Sequence, residues 1–425
     1  SLMHKEKKIL HKIKSLTGMP DYYEDFQDDN SKKIFYIEDE LKKIFNLYNL
    51  KEFRTPALED SSLFSRSVGD ISDIVNKEIY SFEDKNKKNI SLRPEGTAGI
   101  IRSIIQKKLD ISSHKLWYIG PMWRYERPQK GRFRQFTQAG VEILGNEEGT
   151  SEFEMISIVT SIVNKFKLKN YVIKINHLGN KKTKDSYCTA LKKFLENFKD
   201  NIHSSDLEKL EKNPLRILDS KSQETQTILK NAPSIKDFLD KESYDLLKKI
   251  KDTFSDIEID FKLVRGLDYY SGFVFEANSS ELGAQDAILG GGRYDNLSKD
   301  LGGKDLPAIG MAIGIERLAN LITIPLKIEK RVSFIILTSN LRQNAYKIAN
   351  QLRETNNSVI LDISLSDASI KAKLRRANKD NSSHAIIIGE DELKNNKAII
   401  KSLENEKNEQ QSVTVDELLK FYKSL

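Results

Sequence analysis

Hydrophobic positions along this chain change their period in a way that divides it into three stretches. From Ser31, the residues Ile34, Ile37, Leu41, Ile44, Phe45 and Tyr48 recur at spacings of three and four, which predicts an amphipathic helix. Strand-like pieces follow at 52–55, 78–82 and 90–92, and a helix is expected to open near Pro94-Glu95-Gly96-Thr97. Leu116–Ile119 and Phe133–Thr137 flank the loop 120–132 as arms of a long antiparallel hairpin, and 141–144 keeps the apolar strand character.

From about 168 to 256, Lys, Asn, Asp and Leu at helical spacing dominate, as in TALKKFLENF and SDLEKLEK. Strand character returns at 258–264, 273–277 and 308–313, with Gly290-Gly291-Gly292 expected to form a turn between the last two. The pattern predicts one antiparallel-rich domain interrupted by a helical insertion. After Ile324-Pro325, strands at 332–337, 359–363 and 385–388 alternate with helices at 341–354 and 366–379. That alternation predicts a separate small α/β domain with a mostly parallel sheet. A hairpin at 398–403 and 412–415 and a final helix capped by Asp416 complete it. The expected domains are 1–328 and 329–425, within the two or three that about 150 residues per domain allows.

Composition narrows the function. The formal net charge of +7 favours phosphate-bearing partners without requiring them. A single cysteine, Cys188, excludes a disulfide framework and any Cys-based metal cluster, and the six histidines are scattered, so no metal site is expected. No run of about 18 apolar residues predicts a transmembrane helix. The charged N-terminal segment lacks the apolar core of a signal peptide, so a cytoplasmic protein is expected.

Four segments carry candidate chemistry. In Arg124–Arg134, five of eleven residues are cationic and only Glu126 is acidic. Arginine forks match phosphate oxygens, although a solvated basic loop has the same composition. In LVRGLDYY, Arg265 sits among hydrophobics and needs an anion or an internal partner such as Asp268, while Tyr269 and Tyr270 offer phenols to a polar ligand. The third segment is GGGRYD, from Gly290, and the fourth is AIGMAIGIERL, where an alternating strand meets a helix at Gly314 with Arg317 one turn in. No GxxxxGK[ST] loop, strand-opening GxGxxG or GxSxG elbow is present, so any nucleotide is held by arginines on an antiparallel sheet.

Taken together, these motifs resemble the histidine–tRNA ligase family of class II aminoacyl-tRNA synthetases. TPALEDSSLFSRSVG, with Pro56, is similar to the dimer-forming motif 1 of the class, GPMWRYERPQKGRFRQFTQAGVEILG to motif 2 and AIGMAIGIERL to motif 3. LVRGLDYYSGFVFE and GGGRYDNL resemble the two histidine-specific motifs, and LRPEGTAGIIR the amino-acid-binding strand–helix. The matches come in the family's order and cover essentially the whole chain. The resemblance implies an α+β fold: a class II antiparallel sheet flanked by helices, a helical insertion, and a C-terminal α/β anticodon-binding domain.

It also implies a two-step reaction, in which histidine and ATP give histidyl-adenylate and pyrophosphate, and the histidyl group then passes to the 3′-terminal ribose of histidine tRNA. In family terms, Arg124 matches the arginine on the α-phosphate and Arg265 the one on its far side, the two catalytic candidates. Arg317 and Arg132 match the β/γ end, Phe136 the ring on adenine, and Glu126 falls within the same ATP-binding motif. Glu95, Gly96, Thr97 and Gln138 match the amino-group site, and Glu142 and Tyr270, with Tyr269 nearby, the imidazole pocket. A carboxylate and a phenol complement imidazole's donor and acceptor. Such a site rejects apolar analogues by roughly 10⁴–10⁵ because its own polar groups would be left unpaired.

The family further implies a homodimer, ATP as substrate with Mg²⁺ arriving on the nucleotide, and no prosthetic group. Thr137 stands where many relatives carry histidine, Val141 where many carry a small residue, and Pro20 departs from the usual wording around Asp21. Three rivals remain at this point. A non-enzymatic regulatory relative usually lacks the Arg265 motif and the C-terminal domain. A bare RNA-binding protein has no need of the Glu95, Gln138, Glu142 and Tyr270 set. A class II enzyme for another amino acid is disfavoured by LVRGLDYY.

Overall fold

The computed structural model describes residues 12–24, 29–69, 74–129, 131–283, 287–404 and 409–425; Lys130 and the basic segment through His11 lie outside them. The chain divides into two compact units, Ser1–Ile324 and Pro325–Leu425. The strands of the first unit are β1 (Lys51–Glu52), β2 (Leu58–Asp60), β3 (Ser81–Glu83), β4 (Asn89–Leu92), β5 (His114–Trp123), β6 (Gln135–Leu144), β7 (Tyr171–His177), β8 (Ile257–Ile259), β9 (Phe273–Ser279), β10 (Ala287–Arg293) and β11 (Ala308–Gly314). Eight of them form one sheet in the order β1-β5-β6-β11-β10-β9-β7-β8, antiparallel except at its two edges, where β1 runs parallel to β5 and β8 to β7. The remaining three form a small antiparallel sheet, β2-β4-β3.

Side-chain period two gives the large sheet two different faces. On β6, Ala139, Val141 and Ile143 face one way, and with Ile309, Met311 and Ile313 of β11 and Phe273 and Phe275 of β9 they build the main core. The helices Asp29–Leu47 and Ser151–Lys165 cover that face with Ile37, Leu41, Phe45, Ile158, Val159 and Ile162. Gln138, Gly140 and Glu142 point to the other face. Their cross-strand partners on β11 are Gly314, Ala312 and Gly310, and Ala312 and Gly310 in turn pair with Gly290 and Gly292 of β10. Small residues thus line the middle of this face and leave open a floor on which ligands and long side chains can lie.

Gly290–Gly292 is therefore the centre of a strand and not the turn expected from sequence. Three glycines carry no side chains whose alternation could reveal strand period. Close packing requires them here: a Cβ on Gly291 would lie 1.9 Å from the carbonyl oxygen of Gly310. The strand expected at 258–264 shrinks to β8, because the Asp260 side chain accepts from the Lys262 N–H and turns the chain. The helical stretch expected from about 168 holds β7 at its start; its helices run from Lys181–Glu196 to Lys241–Thr253.

In the second unit, β12 (Arg331–Ile336), β13 (Ile360–Ile363), β14 (His384–Ile388), β15 (Lys397–Ser402) and β16 (Gln410–Thr414) are ordered β13-β12-β14-β15-β16. β12 is parallel to β13 and β14, whereas β15 and β16 add antiparallel pairs, so the sheet is mixed. The helix expected from 366 starts later, as Ile370–Lys379, capped by Ser369, whose hydroxyl accepts from the Ala372 N–H. The last helix is capped by Thr414 in a capping box with Glu417, not by Asp416. Among the described residues no helix is long and apolar enough to cross a membrane.

Candidate active site

A cavity of about 260 Å³ opens over the small-residue floor of the large sheet. Its walls include Glu95, Thr97, Arg124, Glu126, Arg132, Phe136, Gln138, Arg265, Tyr269, Tyr270 and Arg317. The sequence-predicted residues thus converge from the loop before the helix Thr97–Gln106, from the β5–β6 hairpin, from the loop before β9 and from the helix after β11. Gly96 and Glu142 lie behind the wall.

The amino-terminal turn of Thr97–Gln106 is organised by Glu95. Its carboxylate accepts from the backbone N–H groups of Thr97 (2.7 Å) and Ala98 (2.9 Å), capping the helix, and from the Tyr269 hydroxyl at 3.4 Å. Burial raises the Glu95 pKa and those two N–H bonds oppose it. Gln138 Oε1 accepts from the Gly96 N–H (3.1 Å) and from the Tyr118 hydroxyl (3.0 Å). The Tyr118 ring fills space that only glycine leaves: a Cβ on Gly96 or Gly140 would fall within 2.3 Å of it.

Glu142 is fully buried. Its Oε1 accepts from the Thr97 hydroxyl at 2.6 Å, and its Oε2 from the Tyr294 hydroxyl. Gly310, paired with it across the sheet, makes the room, since a Cβ there would lie 2.0 Å from Oε2. Burial pushes the Glu142 pKa up to about 8 against the pull of the two hydroxyl donors. Burial also pushes the Tyr270 phenol to about 12 and those of Tyr118, Tyr269 and Tyr294 well above their ordinary value, so all four remain neutral donors at physiological pH.

Arg265 and Arg317 lie where glycines leave the cavity wall without side chains. Arg265 lies flat on β10, its guanidinium about 2.5 Å from where a Gly290 Cβ would stand, and pairs with Glu276 of β9. The alternative partner Asp268 faces Arg216 and Asn213 instead. Among the described residues the Arg265 Nε–H finds no acceptor. Arg124 donates to the Pro94 carbonyl at 2.8 Å and holds its guanidinium carbon 5.2 Å from the centre of the Phe136 ring. Arg132 lies 3.6 Å from Glu126, and Arg317 donates to the Ala287 carbonyl at 2.8 Å. Burial, and then the neighbouring Arg132, lower the Arg317 pKa. An arginine group in which like charges oppose one another is complemented by a polyanion.

Sequence reasoning missed Tyr118, Tyr294 and Glu316, although Tyr294 stands inside GGGRYDNL. Glu316 accepts from the Thr137 N–H at 2.8 Å and the Tyr22 hydroxyl at 2.9 Å, tying the end of β6 to the helix after β11. Register across the sheet gives these residues their roles, and no local pattern carries register. Among the described residues no three His, Cys, Asp or Glu side chains gather as a metal-binding cluster.

Known proteins match this chain along its length. A family model described as histidyl-tRNA synthetase matches residues 22–318, and one described as an anticodon binding domain matches 324–425. A histidine–tRNA ligase of Francisella philomiragia is 39% identical over 95% of this chain and 97% of its own length. One of Francisella tularensis subsp. holarctica is 42% identical over 92% and 96%. The crystal structure of apo histidyl-tRNA synthetase of S. aureus superposes with a TM-score of 0.78 at 32% identity, covering 97% of this chain and all of that one. The Nostoc enzyme, at 20% identity and a TM-score of 0.64, shares the fold. With residues of LRPEGTAGIIR, the arginine hairpin, LVRGLDYY, GGGRYD and AIGMAIGIERL gathered around one cavity and these matches spanning both units, the chain belongs to the histidyl-tRNA synthetase family.

Proposed function

We propose that the cavity brings ATP and L-histidine together, and that the residues converging on it divide the work as follows. The chain is an aminoacyl-tRNA synthetase that attaches histidine to its tRNA through histidyl-adenylate, using ATP. A histidine carboxylate oxygen attacks the α-phosphorus, the new C–O–P link forms, and the bond to pyrophosphate breaks. Arg124 and Arg265 hold the α-phosphate from two sides, where negative charge builds in the transition state, as preorganised electrostatic groups should. Arg317 and Arg132 take the β/γ end, Phe136 stacks on adenine, and Glu126 belongs to the nucleotide site. Mg²⁺ enters as part of the nucleotide substrate, where it neutralises phosphate charge, and no prosthetic group takes part. Glu95, Gly96, Thr97 and Gln138 surround the substrate's amino group; Glu142, Tyr269 and Tyr270 receive its imidazole. A tRNA 3′-terminal ribose hydroxyl then attacks the histidyl carbonyl, and AMP leaves.

The observation carrying these assignments is the convergence of Arg124, Arg132, Arg265 and Arg317 with Glu95, Gln138 and Tyr270 on a single cavity. We further propose that the unit from Pro325 binds the anticodon arm, that the active form is a homodimer, and that it works in the cytoplasm. ATP–pyrophosphate exchange with each of the twenty standard amino acids tests the site: histidine alone should drive strong exchange. Equal exchange with another amino acid would overturn the assignment.

A further inference from the structure

The two oxygens of Glu142 have partners of different standing. Thr97, which holds Oε1, is on the cavity wall, where rotation about one side-chain bond withdraws its hydroxyl. Tyr294, which holds Oε2, is 1% exposed and wedged against the floor, with its ring edge-to-face on Tyr269 at 5.6 Å. We propose that Tyr294 is a positioning residue for histidine recognition: it holds Oε2 of Glu142 from behind, while Oε1 exchanges the Thr97 hydroxyl for the substrate's imidazole N–H.

This inference rests on the reading of Glu142 as the imidazole partner and adds a residue that never touches the substrate. The physical need is plain. A carboxylate 0% exposed to water is disfavoured as an anion, and only donors aimed at it restore the charged form. Once Thr97 lets go, Tyr294 and the incoming imidazole are the two donors left. Without the phenol, Glu142 tends to keep its proton. A protonated oxygen presents O–H where the imidazole N–H needs an acceptor, so the two groups clash donor against donor.

The groups facing Glu142 from the elements packed around it are Glu95, Thr97, Tyr118, Tyr269, Tyr270 and Tyr294. The four phenols stay protonated through neutral pH, which leaves Glu95 and Glu142 as the carboxyls able to titrate. Free histidine titrates near 6.5, but that affects every variant alike.

The test is Tyr294→Phe, which removes one oxygen and keeps the ring. A hydrogen bond to a charged group is worth roughly one pKa step or more. At neutral pH the KM for histidine in pyrophosphate exchange should therefore rise about tenfold, while the KM for ATP stays put. The acid limb of kcat/KM for histidine should move up by about one pH unit, so that raising the pH restores much of the loss. In a Glu142→Gln background, which has no proton to lose at that position, adding Tyr294→Phe should no longer move the limb. Equal losses for histidine and ATP at every pH would make Tyr294 merely structural and overturn the proposal. A limb shift that persists with Glu142→Gln would assign it to Glu95, with the same consequence. Should Tyr294→Phe not fold, infrared titration of wild-type protein labelled at glutamate carboxyls replaces it, with Glu142→Gln identifying the band: the Glu142 carboxyl should lose its proton when histidine binds, and the absence of that loss, or a loss from Glu95 instead, overturns the proposal. Failure of wild-type protein to exchange with histidine would instead refute the imidazole pocket itself, a different result.

Discussion

Arg265 faces two needs that only one arrangement meets. A cation lying on bare backbone in a partly closed cavity requires a counter-charge, and Glu276 supplies it from the neighbouring strand without drawing the guanidinium off the floor. Glu276 also accepts from the Asn278 amide at 2.6 Å, so it keeps a partner if Arg265 is removed. Arg265→Ala should therefore fold, with an unchanged melting temperature within a few degrees, and lose roughly 10²–10³ in adenylate formation, the usual effect of deleting one preorganised electrostatic group. Single-turnover measurement of adenylate checks this, and wild-type rates would reduce Arg265 to a structural ion pair. Glu142 makes a second prediction at this scale, with a definite sign. Burial pushes its pKa up to about 8, above the ordinary 4.5, and if Glu142 accepts the imidazole N–H as proposed, it does so in its deprotonated form. Histidine binding should accordingly strengthen as pH rises from about 6.5 through 8 and release protons near neutrality, which calorimetry in buffers of different ionisation heat detects.

Elements differ in how openly they were written in the sequence. The helix Asp29–Leu47 and strand β11 set one side against a core and a different environment against the other, so their period is legible. The glycine run of β10 is not, because its function is to have no side chains. Gly291→Ala should consequently destabilise the fold, since its Cβ meets the β11 backbone at 1.9 Å, whereas Gly290→Ala should mainly displace Arg265 and lower activity. Thermal unfolding beside exchange kinetics separates the two, and equal stability for both would refute the distinction. The helix Ile370–Lys379 was legible only by half. Spacings of four and three predict that Ile370, Leu374 and Ala377 turn inward together, but Ile370 is 42% exposed and Lys373 is buried, its ammonium donating to the Ile336 carbonyl at 3.2 Å. Hydropathy treats lysine as polar throughout, while its stem packs as hydrocarbon. Lys371, Arg375, Arg376 and Lys379 are exposed and form a basic face, with Arg376 engaged by Asp380 at 3.4 Å. If that face meets the anticodon arm, replacing Lys371, Arg375 and Lys379 by alanine should lower the salt slope of tRNA binding by about one unit for each phosphate no longer neutralised, leaving pyrophosphate exchange intact. An unchanged slope would leave the face simply solvated.

At the scale of the whole molecule, the small sheet β2-β4-β3 turns an apolar face to solvent. Its registers pair Leu58 with Leu92 and Phe82 with Ile90, which puts all four on one face, while Ser91 on the opposite face is fully buried and shares hydrogen bonds with Ser61 and Ser81. Leu58 remains 43% and Phe82 49% exposed, and an apolar sheet face open to water is costly unless another surface lies on it. Leu58 belongs to the segment whose wording resembles the dimer-forming motif of class II synthetases, and the segment leading into β3 is joined to the arginine hairpin through the Tyr125 N–H on the Glu78 carbonyl. A second copy of the chain seated there would support the hairpin that carries Arg124 and Arg132, so assembly and nucleotide binding should fail together. Sedimentation at micromolar concentration should give about twice the 48.7 kDa chain mass, and Phe82→Asp should shift it toward the single chain while pyrophosphate exchange falls in step. A Phe82→Asp protein that sediments as one chain and retains full exchange would show that the cavity is complete within each copy.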